Sequence, residues 1–467
     1  MTEFRMLIGG RLVDGGATID VINPATEEVI AACPRASEGL LNEAVAAAKA
    51  AFPAWAARSM DERRALLIRL ADALHAHGDE LSRLLTQEQG KPLAESTAEI
   101  AYAEAFIRYF AGLELPMRII EDNETRRVEL HRKPLGVVGA IIPWNFPVLI
   151  IAFKLPLALL AGNTMVLKPA PTTPLTTLKI GELCAEIFPA GVVNIITDAN
   201  DLGGLLTKHP DVSKISFTGS TETGKKVMAS AAETIKRVTL ELGGNDAGIV
   251  LDDVDPKKAA PGIFAGAFTN AGQVCIALKR LYVHENIYDA VCEELARLAN
   301  ETVVDDGLKQ GAQVGPLQNK MQYEKVKGYL EDARKDGRII AGGEIPDRPG
   351  FFIRPTIVRD ITDGSRLVDE EQFGPILPVI KYSDPEDAVA RANASPYGLG
   401  ASVWSSDLDR AYDIAGRLEA GTVWVNKHFD LGPSIPFGGA KMSGLGVELA
   451  EEGLAEFTQI RVINMAR

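Results

Sequence analysis

The chain has 467 residues, with 49 lysines and arginines against 63 aspartates and glutamates, which gives a formal net charge of −14. Hydrophobic residues make up 46% and charged residues 24% of the chain, and this ordinary globular usage excludes a disordered, collagen-like or coiled-coil protein. The acidic surplus repels phosphate backbones and anionic lipids, so we expect neither nucleic acid nor a membrane surface as a partner. A chain of this length predicts roughly two to four domains.

The four cysteines lie far apart and form no CxxC pair. They are Cys33, Cys184, Cys275 and Cys292. This spacing excludes a secreted disulfide framework and predicts no zinc or other metal site, so we expect four thiols in a reducing compartment. Residues 1–10 lack the basic and apolar regions of an export signal, which favours a cytoplasmic location.

The first hundred residues are predicted to be mainly helical. An Ala-rich helix is expected near Glu38 to Ala51. A longer helix follows, opened by Ser59 and Glu62 in capping-box spacing and closing near Gly90. We expect these helices to carry structure rather than chemistry.

Apolar, β-rich segments separated by helix-length segments recur after residue 134. They are LGVVGAII from Leu135, NTMVLK at 163–168, GVVNII at 191–196, KISFTG at 214–219 and RVTLEL at 237–242. Between the first two lies 146–162, which is apolar but only 17 residues long and carries Lys154 at its middle, so a buried helix is predicted there rather than a membrane span. Continuous apolar strands spaced by helices indicate a parallel, doubly wound α/β sheet.

The same alternation restarts after about residue 246 and predicts a second α/β domain. Its predicted elements are a helix near Lys257 to Asn270, a strand at 280–284, helices at roughly 285–301 and 319–336, a strand at 351–358, a helix near 385–394, and strands at 402–406 and 421–426.

Two extended segments have no obvious partner in such a two-domain monomer. The charged, alternating segment 125–138 suits a projecting hairpin, and the C-terminal segment 457–467 reads as an extended strand. Pairing of these segments with another subunit is therefore expected.

A doubly wound sheet binds its ligand at the carboxyl ends of its strands. No GxGxxG motif occurs there, but Phe217–Gly224 (FTGSTETG) joins a strand to a helix whose unpaired N–H groups suit a phosphate. Simple turn chemistry is the alternative. Gly219, Gly224 and Lys225 also satisfy GxxxxGK, although Lys226 replaces the magnesium-binding hydroxyl, so a nucleoside triphosphatase stays open as an alternative.

Cys275 is the candidate nucleophile, because it follows small and amide residues in NAGQVC. Burial as a small hydrophobic residue is the alternative reading, and we keep it for the other three cysteines. Three further motifs accompany Cys275 and the phosphate loop: PWNFP at 143–147, TLELGGN at 239–245 and DEEQFGP at 369–375. In this combination and order, the chain resembles the NAD(P)-dependent aldehyde dehydrogenase superfamily along essentially its whole length.

The resemblance implies an α/β fold with two doubly wound-type domains and a small β element. Residues 1–115 and 135–246 would form a Rossmann-like NAD(P)-binding domain, and residues 247–442 the catalytic domain. Residues 116–134 and 456–467 would form a bridging element that builds a homodimer or homotetramer. A catalytically silent binding protein of the same fold stays open, because fold alone does not imply function.

The catalytic residues implied by the resemblance are Cys275, Asn145, Glu241 and Lys154. Cys275 would attack the aldehyde carbon, while the Asn145 amide and the Cys275 N–H stabilise the resulting oxyanion. Glu241 would activate the water that hydrolyses the thioester. Lys154 resembles a lysine near the proton path, and an ion-pair or structural role is the alternative for it.

Cofactor contacts are implied for ten residues: Ile142, Pro143, Trp144, Lys168, Gly219, Ser220, Leu242, Gly243, Glu371 and Phe373. Pro171 departs from the pattern, because many NAD-preferring relatives have a glutamate there that repels a 2′-phosphate. We therefore expect NAD to work and leave NADP open. Asp198 and Asp201, in the loop at 197–204, mildly disfavour the 2′-phosphate.

The substrate entrance implied by the resemblance is apolar. Its residues would be Phe146, Ile150, Phe153, Val274, Ile276, Leu431 and Phe437. No arginine among them suits a substrate carboxylate, which favours a medium aliphatic or aromatic aldehyde over the semialdehyde of a diacid. His428 and Asp430 would add polar selectivity at the rim, with a structural role in the loop as the alternative for His428.

Overall fold

The computed structural model describes residues 3–467, so residues 1–2 of the predicted first domain lie outside it. The strands, in chain order, are β1 (Met6–Ile8), β2 (Arg11–Val13), β3 (Ala17–Ile22), β4 (Val29–Arg35), β5 (Arg118–Asp122), β6 (Arg126–Pro134), β7 (Val137–Ile141), β8 (Thr164–Lys168), β9 (Val193–Ile195), β10 (Val212–Thr218), β11 (Arg237–Glu241), β12 (Asp246–Val250), β13 (Leu278–His284), β14 (Arg338–Ala341), β15 (Thr356–Arg359), β16 (Ile376–Tyr382), β17 (Tyr397–Gly398), β18 (Gly400–Trp404), β19 (Thr422–Val425), β20 (Ala440–Lys441), β21 (Gly444–Leu445) and β22 (Thr458–Ala466).

The helices, in chain order, are α1 (Glu38–Ala56), α2 (Met60–Ala76), α3 (Gly78–Gln89), α4 (Leu93–Ala111), α5 (Pro147–Leu160), α6 (Leu175–Ile187), α7 (Gly203–Lys208), α8 (Thr221–Ala232), α9 (Pro256–Phe268), α10 (Tyr288–Glu301), α11 (Lys320–Asp336), α12 (Arg366–Asp369), α13 (Pro385–Asn393), α14 (Leu408–Ala415) and α15 (Ala450–Glu456). A one-turn 3-10 helix, Thr269–Gly272, follows α9.

The first large sheet has eight strands in the order β2-β1-β9-β8-β7-β10-β11-β21. Its five central strands, β9, β8, β7, β10 and β11, pair in parallel. Every residue of β8 is buried, as expected for a strand covered by helices on both faces. The predicted α/β fold is confirmed, and all five predicted strands of this half occur.

The second large sheet has seven strands in the order β14-β15-β16-β13-β12-β18-β19. All its pairings except that of β14 with β15 are parallel. The sequence prediction differs in several details: β12, β14 and β16 are not among the predicted strands, and only the second half of the segment 351–358 is a strand. The turn before that strand contains Pro355, which has no N–H to donate to a neighbouring strand. The division into domains at the predicted boundaries stays a prediction.

The hairpin and the C-terminal strand have a partner within the chain, so the expectation that they lack one was wrong. Strand β22 pairs antiparallel with β6 from Thr458 opposite Pro134 to Ala466 opposite Arg126, and β5 completes a three-stranded sheet. Within residues 3–467, β22 and β5 each have a strand neighbour on one side only. One edge of each strand is therefore available to another chain.

The N-terminal region differs most from the prediction. Four strands precede α1, and β1 joins the edge of the first large sheet by pairing with β9. The capping box of α2 is confirmed, because Ser59 accepts the Glu62 N–H and Glu62 accepts the Ser59 N–H. The predicted long helix is two helices, since His77 leaves the helical conformation (φ −102°, ψ 11°) just before Gly78, a residue of low helix propensity.

Helix α5 is buried along its length, as predicted for the apolar segment 146–162. Its central Lys154 is neutralised by an ion pair with Glu448, which makes burial of the lysine tolerable. Within residues 3–467, no helix is both long enough and apolar enough to cross a membrane. The helix begins directly after the turn that follows β7, so its first turn lies at the carboxyl edge of the first large sheet.

Candidate active site

A cavity of about 1300 Å³ opens at the carboxyl ends of β7, β8, β10 and β11, where a doubly wound sheet binds its ligand. Three of the four predicted catalytic residues, Cys275, Asn145 and Glu241, line it, and so do all ten predicted cofactor residues and all seven predicted entrance residues. The structure therefore brings together side chains that are more than 200 positions apart in the sequence. Lys154, the fourth predicted catalytic residue, lies outside the lining.

Cys275 follows a strained turn. Asn270, Ala271 and Gly272 have φ values of 52°, 54° and 69°, so three successive residues adopt the left-handed conformation. At Gly272 a Cβ would lie 2.4 Å from the main-chain oxygen of Gly374, so no other residue fits there. Asn270 is held by Gln89, whose side-chain N–H donates to its Oδ1 at 3.0 Å. This turn fixes the position from which the thiol faces the cavity.

The thiol of Cys275 is held in its neutral form. Burial raises its pKa well above the ordinary value, and the negative charges of Glu241, Asp246 and Glu371 raise it further. The N–H of Ile276 acts in the opposite direction but more weakly. Because the thiolate is the nucleophile, a neighbouring base must take the proton as the sulfur attacks.

Asn145 directs a fixed amide toward the same region. Its Nδ2 donates one hydrogen bond to the main-chain oxygen of Gln273, at 3.0 Å. The amide has a second N–H, and the side chain lines the cavity. An uncharged donor positioned by the protein is the kind of group that stabilises an oxyanion.

Two buried residues that the sequence reasoning missed hold the turn that carries Asn145. Lys91 Nζ donates to the main-chain oxygen of Asn145 at 2.8 Å and forms an ion pair with Glu99 at 2.6 Å. The same ammonium lies 3.6 Å from the centre of the Phe146 ring. Glu99 in turn accepts the N–H groups of Val148 and Leu149 in the first turn of α5.

Glu241 carries a buried carboxyl group that no hydrogen bond stabilises among residues 3–467. Among residues 3–467, neither of its carboxyl oxygens has a hydrogen-bond partner, although its side chain lines the cavity. Burial raises its pKa well above the ordinary value; the charge of Glu448 raises it further and that of Lys154 lowers it. A buried carboxyl with a raised pKa and free oxygens is typical of a general base that meets its partner only when substrate or water is bound.

Lys154 lies beside the cavity rather than in its wall. Its Nζ donates to Ser216 Oγ at 3.0 Å and forms a buried ion pair with Glu448. Glu448, which does line the cavity, was missed by the sequence reasoning. The structure thus gives Lys154 an ion-pair contact and leaves its predicted catalytic role a prediction.

The helix α8 presents its N-terminus to another part of the cavity. Ser220 is its N-cap, with its hydroxyl oxygen accepting the Thr223 N–H. At Gly219 a Cβ would lie 2.6 Å from the Phe217 ring, so only glycine leaves the backbone open there. The Thr218 hydroxyl, which also lines the cavity, has no hydrogen-bond partner among residues 3–467. A helix N-terminus with an unsatisfied hydroxyl beside it fits the phosphates of a dinucleotide.

Glu371, Trp144 and Phe373, three of the predicted cofactor residues, line the cavity together. Glu371 Oε1 accepts the N–H of Gly244 at 2.9 Å, and a Cβ on Gly243 would lie 2.6 Å from its other oxygen. Trp144 and Phe373 contact each other edge to face, with ring centres 5.4 Å apart. These residues fit a cofactor with a ribose and a flat ring.

Lys168, one of the predicted cofactor residues, forms an ion pair. Its Nζ lies 2.7 Å from Asp198, and both side chains are buried. Asp201 instead forms an exposed ion pair with Arg35. Lys225, the lysine of the near-miss GxxxxGK motif, is exposed and pairs with Glu222 within the same helix, so it does not reach into the cavity as a phosphate-binding lysine would.

The part of the cavity that is predicted to bind the substrate is apolar. Phe146 and Phe429 lie with ring centres 6.3 Å apart, and Phe429 is a lining residue that the sequence reasoning missed. Among the described residues, no arginine lines the cavity.

For His428 the structure supports the alternative, a structural role in the loop, rather than a position at the rim, whereas the rim role of Asp430 stays a prediction. His428 is buried, and its ring nitrogens contact Ser402 Oγ and the main-chain oxygen of Ile276, both at 2.9 Å. Burial lowers its pKa to about 4. Asp430 pairs with Lys427 on the surface. His428 therefore supports the residue next to Cys275 from outside the cavity.

The other three cysteines are buried free thiols, as predicted. Burial raises the pKa of Cys33, Cys184 and Cys292 to about 12 in each case, which keeps them protonated. Cys275 alone among the four faces the cavity.

Comparison with known proteins agrees with this geometry. The model of the aldehyde dehydrogenase family matches residues 12–463. The chain is 43% identical to a phenylacetaldehyde dehydrogenase of Pseudomonas fluorescens, over 99% of this chain and 96% of that protein. It is 41% identical to the NADP⁺-dependent succinate-semialdehyde dehydrogenase of Escherichia coli, over 97% and 96%. An aldehyde dehydrogenase from Bacillus cereus, solved with NAD⁺, is 38% identical and superposes with a TM-score of 0.97, covering 100% of this chain and 97% of that one.

Proposed function

The chain belongs to the aldehyde dehydrogenase family, whose members oxidise aldehydes with NAD(P), and we propose that it forms a carboxylic acid through a thioester on Cys275. The observation that carries this proposal is the meeting of Cys275, Asn145 and Glu241 in one cavity. A nucleophile, an oxyanion donor and a buried base are the three groups that oxidation with hydrolysis requires.

The first step joins the Cys275 sulfur to the aldehyde carbon. The thiol proton passes to a base as the bond forms, and Glu241 is the unpartnered base in the cavity. The carbonyl oxygen becomes an alkoxide, which accepts hydrogen bonds from the Asn145 amide and the Cys275 N–H. One such donor contributes roughly 3–4 kcal/mol to a transition state of this kind.

The second step changes the oxidation state of the carbon. Bound NAD(P) supplies the acceptor for the hydride that leaves the carbon as the alkoxide collapses to a thioester. The apolar walls around Cys275 limit water at this stage, which protects the hydride from side reactions.

The last step hydrolyses the thioester. Glu241 first releases the thiol proton of the first step to solvent. It then takes a proton from a water molecule, whose oxygen attacks the acyl carbon, and the Cys275 sulfur leaves and regains a proton from Glu241. A base whose pKa is raised suits this role, because it both accepts the proton from water and returns it to the sulfur.

The proposed substrate is a medium aliphatic or aromatic aldehyde. The aromatic lining at Phe146, Phe429 and Phe437 supports a substrate with an apolar side chain. A lining without arginine disfavours a substrate carboxylate. The similarity to a phenylacetaldehyde dehydrogenase points in the same direction.

The proposed cofactor preference is NAD, with NADP also accepted. Pro171 lines the cavity and carries no negative charge to oppose a 2′-phosphate. Asp198 lies in the same region, but its charge is balanced by Lys168. The triphosphatase alternative is not favoured, because Lys225 is exposed and paired.

We propose further that the protein works in the cytoplasm as a homodimer or homotetramer. Four free thiols suit a reducing compartment. The open edge of β22, with Ile460 and Val462 exposed, supports pairing with a second copy. Light scattering of the purified protein gives the mass, and a monomer at micromolar concentration would contradict the assembly.

The experiment that tests the function is NAD(P)H formation with a panel of aldehydes, comparing wild type with Cys275→Ala and with Cys292→Ala. We expect the highest kcat/KM for aromatic and medium aliphatic aldehydes and a higher value with NAD than with NADP. Cys275→Ala loses turnover, whereas the buried Cys292→Ala retains it. Equal loss in both variants, or retention in both, would overturn the proposal.

A further inference from the structure

A second cavity, of about 600 Å³, lies where the turn between α1 and α2 meets the end of β6 and the start of β22. It is lined by five cationic side chains and by no aspartate or glutamate. The five are Arg58, Arg63, Arg132, Lys133 and Arg461. In a chain whose net charge is −14, this concentration of positive charge runs against the composition.

The five cations also lack ion-pair partners. Among residues 3–467, none of them lies within 4.0 Å of a carboxylate oxygen. Their neighbours in sequence are paired: Arg64 contacts Asp61, and Arg127 contacts Glu129. The absence of acidic partners is therefore a property of this cavity and not of the elements that form it.

Arg63 is a buried cation of this cavity that has no carboxylate partner among residues 3–467. The residue is only 8% exposed, and its guanidinium donates to the main-chain oxygens of Leu160 at 2.9 Å and Arg58 at 2.5 Å. Carbonyl oxygens satisfy N–H groups but supply no negative charge. Glu62, the acidic neighbour in the sequence, is engaged in the N-cap of α2 with Ser59. A buried cation without a counter-ion is costly, and a bound anion would remove that cost.

We propose that this cavity binds a small multivalent anion, of the diphosphate or polycarboxylate class. Four of the five cations are arginines, whose planar forks bind phosphate and carboxylate oxygens in pairs. The volume exceeds what a single sulfate-sized ion fills and suits a ligand with two or three anionic groups. Occupancy would connect the helical layer, through Arg58 and Arg63, to the C-terminal sheet, through Arg132 and Arg461.

The test is calorimetric titration of the full chain with pyrophosphate and, separately, with citrate. NAD is present at saturation, so that the phosphate site of the main cavity is filled. We expect one saturable anion site per chain. Binding of pyrophosphate but not citrate would identify phosphate as the source chemistry, and the reverse result would identify carboxylate. Because binding is measured without turnover, the outcome does not depend on the proposed catalytic function.

Two double variants make the test specific. Arg132→Gln/Arg461→Gln removes two cations of the cavity, and we expect it to weaken anion binding at least tenfold while NAD binding, which reports a folded chain, is unchanged. Arg338→Gln/Arg410→Gln removes the same charge from exposed arginines outside the cavity and should leave binding unchanged. The proposal is overturned by no saturable binding of either anion or by equal loss in both variants. It is also overturned if wild type binds neither anion and the cavity variant changes the oligomer mass, because carboxylates of a second copy then fill the cavity.

Discussion

The ammonium group of Lys91 lies 2.8 Å from the main-chain oxygen of Asn145, and its charge is balanced by Glu99 at 2.6 Å. Lys91 lies in the short loop between α3 and α4, whereas Asn145 carries the proposed oxyanion donor. A buried ion pair of the helical layer therefore fixes the turn on which the chemistry depends.

Replacing Lys91 with methionine should disturb both stability and catalysis. The variant leaves the Glu99 carboxylate buried and unpaired, which costs about 3–5 kcal/mol. We expect a lower midpoint of thermal unfolding and a lower kcat, because the Asn145 turn loses its anchor. The control Lys91→Met/Glu99→Gln removes both charges and should recover part of the stability but not the lost kcat. Unchanged kcat in Lys91→Met would contradict a role for Lys91 in positioning Asn145.

The pH dependence of hydrolysis should respond to Glu448 and Lys154 in opposite directions. The charge of Glu448 raises the pKa of Glu241 and that of Lys154 lowers it. Since Glu241 works as a base only when ionised, Glu448→Gln should move the acidic limb of the kcat profile to lower pH. Lys154→Met should move it to higher pH. The measurement is kcat against pH for wild type and both variants, and shifts in the same direction would count against Glu241 as the titrating base.

Stability should depend on pH through Glu88. This residue is fully buried and accepts the N–H groups of Leu175 and Thr176, yet burial raises its pKa to about 7. A carboxyl whose pKa is raised on folding contributes stability that is fully present below about pH 4.5 and is lost as the pH rises through about 7. The loss is on the order of 3 kcal/mol.

Glu88→Gln cannot ionise, so its unfolding free energy should fall less than that of wild type between pH 5 and 8. Thermal unfolding of both proteins at several pH values measures the difference. Parallel pH profiles would show that Glu88 does not titrate in this range.

Cofactor choice should respond to a charge at position 171. Pro171 lines the cavity, and a carboxylate there would repel a 2′-phosphate. We expect Pro171→Glu to lower kcat/KM about tenfold more with NADP than with NAD. A tenfold difference corresponds to about 1.4 kcal/mol of repulsion between the carboxylate and the 2′-phosphate. Pro171→Gln has the same shape without the charge and should change the two values equally. If Pro171→Glu and Pro171→Gln change the two kcat/KM values in the same way, charge repulsion is not the cause of the change in cofactor choice.

The core of this site is predicted through the resemblance to a family, because the parts that carry the resemblance are local. Asn145, Glu241 and Cys275 each lie in one of the short motifs that carry it. Glu448 could not be predicted in this way. It meets Lys154 across 294 positions, and no local pattern marks a single glutamate as the partner of a buried lysine.

Contacts between distant parts of the sequence also explain the errors in the predicted fold. Strand β1 has three residues, too few for any hydrophobic period to be visible, and it is defined by pairing with β9 far along the chain. The partner of β22 is β6, more than 300 positions earlier, so the sequence suggests two unpaired strands where the structure has one sheet. His428 looked like a rim residue because it is a polar side chain near Leu431, yet it points to the buried side of the loop.

The proposed thioester on Cys275 is tested most directly by the mass of the Cys275 peptide after Glu241→Gln is mixed with NAD and an aromatic aldehyde. We expect about one equivalent of NADH per active site, formed more slowly than by wild type because the variant lacks the base that takes the thiol proton. An acyl group then stays on Cys275 and no further turnover follows, because the thioester is not hydrolysed. The Cys275→Ser variant should carry no adduct. Continued turnover by Cys275→Ala, or NADH formation by Glu241→Gln without an acyl group on Cys275, would contradict the account.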